Sequence, residues 1–240
     1  MALPMNNMPM FTLVVPSTNK TVRYRPFLVK DEKALMIAQQ SEDVGVMVDT
    51  LKEVVRSCLV DNVDVDALAT FDLEYIFTQI RGKSVGEKIE LLFACDTDHG
   101  EQNEKAVTKI TIDISNLEVK KDPAHTNKID LFQDVGVVMK YPTLEVAKKL
   151  EGGDLGDIDG IFDVIAESID FIYQSEDVYY AKDQSKAEIL QFLNNLTSEQ
   201  FIKVQKFFET MPKLTKEVEY KCPICGREHK KLLEGLQSFF

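Results

Sequence analysis

Residues 220–240 read YKCPICGREHKKLLEGLQSFF, and the pair of thiols near the start of that stretch decides how the rest of the chain is read. Cys222 and Cys225 are two residues apart, with Pro223 between them and Gly226 after them. That spacing lets one turn aim both sulfurs at one point while the glycine takes the positive φ the exit requires. A tetrahedral metal needs four ligands, and this stretch offers three at most, the third being His229. The missing ligands have to come from elsewhere in the chain.

Working outward, the only other close cysteine and histidine lie in "CDTDH", where Cys95 and His99 are three residues apart. The segment before them, "EKIELLFAC", alternates with period two through Ile89, Leu91, Phe93 and Cys95. After a polar loop, "VTKITIDISNL" repeats the alternation through Ile110, Ile112 and Ile114. Two strands joined by a loop put Cys95 and His99 at a hairpin tip. Joining that tip to the Cys222/Cys225 turn predicts a zinc-ribbon-like site with Cys95, His99, Cys222 and Cys225 as ligands and His229 as the alternative. A metal-free turn and a redox dithiol remain open beside the structural zinc.

The remaining segments alternate between hairpin and helix signals. "FTLVV" (11–15) and "TVRYRPFLVK" (21–30) flank the turn formers of "PSTN" and predict an opening hairpin, with Pro26 confining the second strand to an edge. Helices are expected over "DEKALMIAQQ", over "GVMVDTLKEVVRSCLV" with Val48, Leu51, Val55, Cys58 and Leu59 on one stripe, and over "TFDLEYIFTQIRG" with Gly82 as its stop. Cys58 on the apolar stripe reads as a buried structural thiol. Residues 120–142 show no clear period. "LEVAKKLEGG" reads as a helix ended by its glycines. In "DLGDIDGIFDVIAESIDFIYQ" Leu155 occupies the first position of any calcium loop. The Asp residues therefore read as a cap and first-turn charge for a helix buried through Ile161, Phe162, Ile165, Ile169 and Ile172. Ser185 opens one further helix. Thr197 with Gln200 makes a capping box for another that ends at Met211-Pro212, and a final strand "EVEYKC" leads into the knuckle. The fold class is α+β: helical bundles with short antiparallel β-hairpins and a zinc-ribbon-like C-terminal knuckle. The division expected is 1–119 and 120–240, or one continuous domain.

Composition narrows the function. The 240 residues carry a formal net charge of −12, with 44% hydrophobic and 28% charged side chains, as in folded water-soluble proteins. An acidic chain repels phosphate backbones, so nucleic acid is a poor default partner. The exception is the basic set Lys213, Lys216, Lys221, Arg227, Lys230 and Lys231 around the knuckle, which supports a rival reading as a cellular zinc-ribbon adaptor for protein or nucleic acid. No apolar run approaches the roughly 20 residues that span a bilayer, and Met1–Met10 has no basic residue to begin a secretory signal. A cytoplasmic product and no membrane partner are expected. No phosphate-binding glycine loop, nucleophile elbow or H-E-x-x-H helix is present, and His99, His125 and His229 lack a partnered nucleophile. An enzyme is not expected, and no catalytic residue is assigned.

The succession "RPFLVKDEKALMIAQQSED", "VVRSCLV", "FDLEYIFTQIRGKSVGEKIELLFAC", "LTSEQFIKVQKFFETMPKL" and "YKCPICGREHKKLLEGLQSFF" resembles the baseplate hub subunit family of T-even-type tailed phages. The likeness runs from about Thr21 to Phe240, with "EYIFTQIRGKSVGE" and "LEGLQSFF" its most specific pieces. The resemblance implies a non-enzymatic viral protein that helps to build the tail baseplate, as a structural hub subunit or as an assembly factor. It implies other baseplate hub proteins as partners, with self-association a further expectation. Its place would be the host cytoplasm during assembly and the virion tail baseplate afterwards. Leu236, Phe239 and Phe240 are apolar at a terminus and are the expected protein-contact residues, with docking on the protein's own core as the alternative.

Overall fold

The structure is a computed structural model that describes residues 8–41, 43–151 and 158–239. In chain order its elements are β1 (Phe11–Val14), β2 (Thr21–Tyr24), α1 (Val29–Gln40), α2 (Val44–Cys58), α3 (Thr70–Val85), β3 (Lys88–Ala94), β4 (Val107–Asp113) and β5 (Glu118–Lys120). There follow β6 (Lys128–Phe132), β7 (Val135–Met139), α4 (Leu144–Glu151), α5 (Ile158–Glu167), β8 (Ile169–Gln174) and β9 (Asp177–Tyr180). The chain closes with α6 (Lys186–Asn194), α7 (Ser198–Thr210), β10 (Lys213–Lys221) and β11 (Glu228–Glu234). All strand pairs are antiparallel, so the α+β expectation holds.

The chain divides into two units. One takes residues 1–65, 71–120 and 213–240; the other takes 66–70 and 121–212. The chain enters the second unit at residues 66–70 and again at 121–212, and its last strands return to the first unit. The cause is a strand pairing: β10 opens against β5, Lys213 opposite Lys120 and Thr215 opposite Glu118. Residues 121–212 are thus inserted between two neighbouring strands.

In the first unit the alternating faces of β3, β4, β10 and β11 close over one core. Ile89, Phe93, Ile112, Ile114, Leu214, Val218, Tyr220 and Leu233 are buried there together with Phe239. Phe239, 1% exposed, is a core residue and not an exposed contact. Leu236 is half-buried, and its N–H donates to Glu74 Oε1 at 3.1 Å. Phe240 lies outside the described residues. Helix α3 runs past Gly82 to Val85, because a glycine in a helix costs only about 1 kcal/mol and the chain turns instead at Gly86, φ +135°. Gly82, Lys83 and Ser84 are therefore helical. Strand β11, "EHKKLLE", lacks an apolar alternation and is strand because β10 templates it over seven residue pairs.

A buried polar knot ties β2, α1 and α2. Arg25 Nη1 donates to Asp31 Oδ2 at 2.7 Å, the Leu28 N–H donates to the same oxygen at 2.8 Å, and Ser57 Oγ donates to Asp31 Oδ1 at 3.0 Å. Asp31 thus closes the first turn of α1 and neutralises a buried guanidinium at once. Cys58, beside it, is fully buried, and desolvation raises its thiol above the ordinary value, as expected of a structural cysteine.

The second unit is a four-stranded sheet in the order β6-β7-β8-β9, with Ile129, Leu131, Val137, Met139 and Ile169 in one core with Ile165, Ile189, Leu193, Val204 and Phe207 of its helices. The expected capping box of Thr197 with Gln200 is present, and Ser185, read as the start of a helix, makes a second box with Glu188. Residues 120–142, without clear period in the sequence, hold β6 and β7, joined by a turn with Gln133 at φ +47°. The helix expected through Ile172 stops at Glu167. The Ser168 hydroxyl and N–H both bond back to the Val164 carbonyl, and Ile169–Gln174 continue as β8. Ile165, Ile169 and Ile172 fit a helical stripe and a helix-then-strand path equally well, which is why periodicity misplaces this segment. Asp159 sits in the first turn of α5, as read, while Leu155 and Asp157 lie outside the described residues. His125 is a core histidine: its ring nitrogens lie 3.0 Å from Thr210 Oγ1 and 3.0 Å from Tyr141 Oη.

The Asp31 knot yields a signed prediction. Desolvation pushes the Asp31 carboxyl up, but Arg25, the Leu28 amide and Ser57 outweigh it and hold it below its ordinary value. A folded value below the unfolded one means that its contribution is complete above pH ~4 and is lost as pH falls through the depressed value. Asp31→Ala should cost about 3 kcal/mol at neutral pH, since it strands Arg25 in the interior. Urea denaturation of wild type and variant at pH 7 and pH 3 should show the difference shrinking at the lower pH.

Candidate metal centre

The two hairpins present their tips to one another. Strand β3 ends at Ala94, so Cys95 continues its inward-facing alternation, and its N–H donates to the Ala106 carbonyl at 2.9 Å across the hairpin. The loop then tightens. The Asn103 side chain accepts from the His99 N–H at 2.7 Å, and Asp98 Oδ1 accepts from the Gly100 N–H at 2.9 Å and from Asn103 Nδ2 at 2.8 Å. These bonds fix the loop carrying His99, which enters a short 3₁₀ turn over Gly100–Lys105. On the other hairpin the Cys222 N–H donates to the Arg227 carbonyl at 2.9 Å, and the Gly226 N–H donates to the Cys222 carbonyl at 3.0 Å. Gly226 adopts φ +70°, which a residue bearing a Cβ takes only with strain.

Two bonds tie the tips. Arg227 Nη1 donates to Thr97 Oγ1 at 2.8 Å, and Thr108 Oγ1 donates to the Lys221 carbonyl at 2.9 Å. The result is that Cys95 Sγ, Cys222 Sγ, Cys225 Sγ and a ring nitrogen of His99 all lie within 4.8 Å of one another. Around a tetrahedral zinc, sulfurs at ~2.3 Å and nitrogen at ~2.05 Å from the metal give S···S edges of ~3.8 Å and S···N edges of ~3.6 Å. Cys95 Sγ to Cys225 Sγ is 3.9 Å, and Cys222 Sγ to His99 Nε2 is 3.6 Å. Two opposite edges of the tetrahedron are therefore already at metal-bound lengths, and the donor set Cys₃His fits zinc.

The electrostatics suit a thiolate site. The Thr97 N–H, 3.5 Å from Cys95 Sγ, leads the interactions that lower its thiol to about 5, with His99 and Cys222 contributing. At Cys225 the Arg227 amide acts to lower the thiol, but desolvation and the neighbouring Cys222 and Cys95 sulfurs outweigh it and leave it raised. Crowded thiols oppose one another's ionisation, and a divalent cation relieves that opposition.

His229 stands beside this tetrad. Its Nε2 is 3.3 Å from Cys95 Sγ, its Nδ1 is 3.3 Å from Asp96 Oδ2, and its ring stacks on Tyr220 at 4.9 Å between centroids. Tyr220 in turn stacks on Phe93 and donates to the Ala94 carbonyl at 3.0 Å. The sequence gives no signal for Asp96 or Tyr220, since an exposed loop aspartate and an inward strand tyrosine are ordinary features of a hairpin. A carboxylate on one ring nitrogen is how metal-ligating histidines are commonly held, and this keeps His229 as the alternative ligand.

The family model for the T4 bacteriophage base plate protein matches residues 8–240. The chain belongs to that family. No curated protein and no solved structure gives a significant match. The T4 baseplate match spans both units and every member of the tetrad.

Of the six basic residues behind the rival adaptor reading, Lys213, Lys221 and Lys230 form ion pairs within the ribbon, and Arg227 bonds Thr97. Lys230 bridges Glu217, at 3.6 Å, and Glu219; Lys221 pairs with Glu228 at 3.8 Å; Lys213 pairs with Glu234 at 3.5 Å. Lys231 lies over the Phe93 ring at 5.7 Å. These are the cross-strand pairs of a solvated β-ribbon. Among the described residues no helix is long and apolar enough to cross a membrane.

The ligand set is tested by metal content. Protein purified without chelator should hold one equivalent of zinc, and Cys222→Ser, Cys225→Ser or His99→Asn should each reduce it below about a tenth. His229→Asn should keep one equivalent with affinity lower by about 10- to 100-fold. Loss of metal in His229→Asn with retention in His99→Asn would replace His99 by His229 in the set.

Proposed function

We propose that this member of the T4 baseplate family is a non-enzymatic component of the baseplate hub, acting through protein–protein contacts either as a resident subunit or as an assembly factor. The observation that carries the reading is the family match over residues 8–240. It is supported by an absence of sequence signatures for catalysis and by a fold whose most specialised feature is a ligand tetrad joining two hairpin tips. The tetrad's part is structural. One zinc held by Cys95, His99, Cys222 and Cys225 would fix the end of the chain to its middle, and four protein ligands would leave no open position for a substrate. Partners would be other baseplate hub proteins, met in the host cytoplasm during assembly and retained in the virion tail if the chain is a resident subunit.

Tagged protein captured from phage-infected cells, with assembly intermediates analysed separately from finished particles, tests this reading. Recovery with hub proteins in both fractions identifies a resident subunit, and recovery in intermediates alone identifies an assembly factor. Absence of every tail protein from both would overturn the proposal. Zinc removal should lower the thermal midpoint of the purified chain by several degrees, with a shift on the order of 4 °C for each 1 kcal/mol lost.

A further inference from the structure

The sheet of the second unit ends in two edges that the protein treats differently. At the β6 edge, Lys203 Nζ from α7 donates to the Asp130 carbonyl at 3.0 Å and to the Leu131 carbonyl at 3.1 Å. Thr126 Oγ1 accepts from the Lys128 N–H at 3.2 Å on the same strand. That edge is closed by side chains, as natural sheets close edges that must not pair. The β9 edge has no such cover among the described residues. The two-residue Ser175-Glu176 turn sets Gln174 opposite Asp177, so Asp177 and Tyr179 bond to β8, and the N–H and C=O of Val178 point to the open side.

Strand β9 is also bare on both faces: Val178 is 46% exposed, Tyr179 44% and Tyr180 47%. Three consecutive apolar or aromatic residues on an open strand edge form a template for another strand. Charge decides which kind. Residues 66–70 and 121–212 hold eighteen acidic and nine basic residues, a net −9 of the chain's −12, and Asp177 opens the strand itself with Glu176 and Asp183 on either side of it. The tyrosines of this sheet already receive ammonium groups: Lys182 Nζ lies 5.3 Å from the Tyr180 centroid and Lys128 Nζ 4.8 Å from that of Tyr173.

We propose that the β9 edge is a docking site for an extended segment of another baseplate protein that carries lysine or arginine on alternate positions and adds a fifth strand to the sheet. A second copy of this chain is the wrong occupant, because it would abut two units of net −9. The proposal rests on the reading of the chain as a protein that works through protein contacts.

The test uses the full chain and two synthetic eight-residue peptides, one alternating lysine with valine and one alternating glutamate with valine, so its outcome is independent of phage assembly. The lysine peptide should slow amide exchange at Val178 at least tenfold at saturation and should bind more weakly as salt is raised; the glutamate peptide should do neither. Val178→Pro removes the outward donor without touching the β8–β9 bonds, and Val178→Lys adds a like charge at an exposed position. Each should raise the dissociation constant for the lysine peptide at least tenfold, the second serving if the first perturbs folding. Equal binding of both peptides, unchanged exchange at Val178, or binding insensitive to both substitutions would overturn the proposal. So would protection of Val178 that rises with protein concentration in the absence of peptide, which would assign the edge to a second copy.

Discussion

Strand β10 carries the constraint on which the first unit depends. Its first three residues pair with β5 and its last seven with β11, so it holds together segments that the inserted residues 121–212 separate in sequence. The same strand buries Leu214, Val218 and Tyr220 in the core and then delivers Cys222 to the tetrad. Alternation does both jobs: residues at even spacing face inward, and the strand's exit is aimed by the inward set. Register is therefore fixed twice, once by apolar burial and once by the tip bonds at Thr97 and Lys221. A one-residue slip would turn the core residues outward and carry Cys222 away from Cys95.

Much of the local structure was legible because single residues determine it. The helix start at Ser185, the capping box at Thr197, the buried Cys58 and the hairpin bearing Cys95 rest on short-range rules, and those rules were not overridden. The meeting of Cys95, His99, Cys222 and Cys225 was legible for a related reason: few residue types serve a metal, and cysteine and histidine come close together in the sequence at only two places. What escaped the sequence depended on neighbours. Strand β11 has the composition of a solvated loop and is strand because β10 lies beside it. The β6–β7 pair has too short a run for its period to stand out, and Ile165 to Ile172 carry a pattern that two paths satisfy. The return of residues 213–240 to the first unit was illegible altogether, since nothing in a strand's own residues names the strand it will join. The burial of Phe239 is the same kind of fact: an apolar terminus reads alike whether it meets its own core or a partner.

The distribution of charge gives the two units different characters. The first unit balances its lysines against glutamates across the β10–β11 ribbon, while the second concentrates most of the net negative charge. Such separation leaves the ribbon close to neutral and gives the sheet unit the longer-range field, within the roughly 8 Å over which exposed charge acts at physiological salt. The concentrated negative charge and the Cys/His cluster thereby lie in different parts of one chain.

The insertion of residues 121–212 between β5 and β10 also sets a timetable. Synthesis at about 5–20 residues per second puts on the order of ten seconds between the emergence of Cys95 and that of Cys222. Through that interval the β3–β4 hairpin has neither its core partners nor the second half of its ligand set, while the whole of the sheet unit has been made and can fold beside the ribosome. Residues made after the insertion complete the unit begun before it, so the first unit reaches its final form only once β10 and β11 have been made.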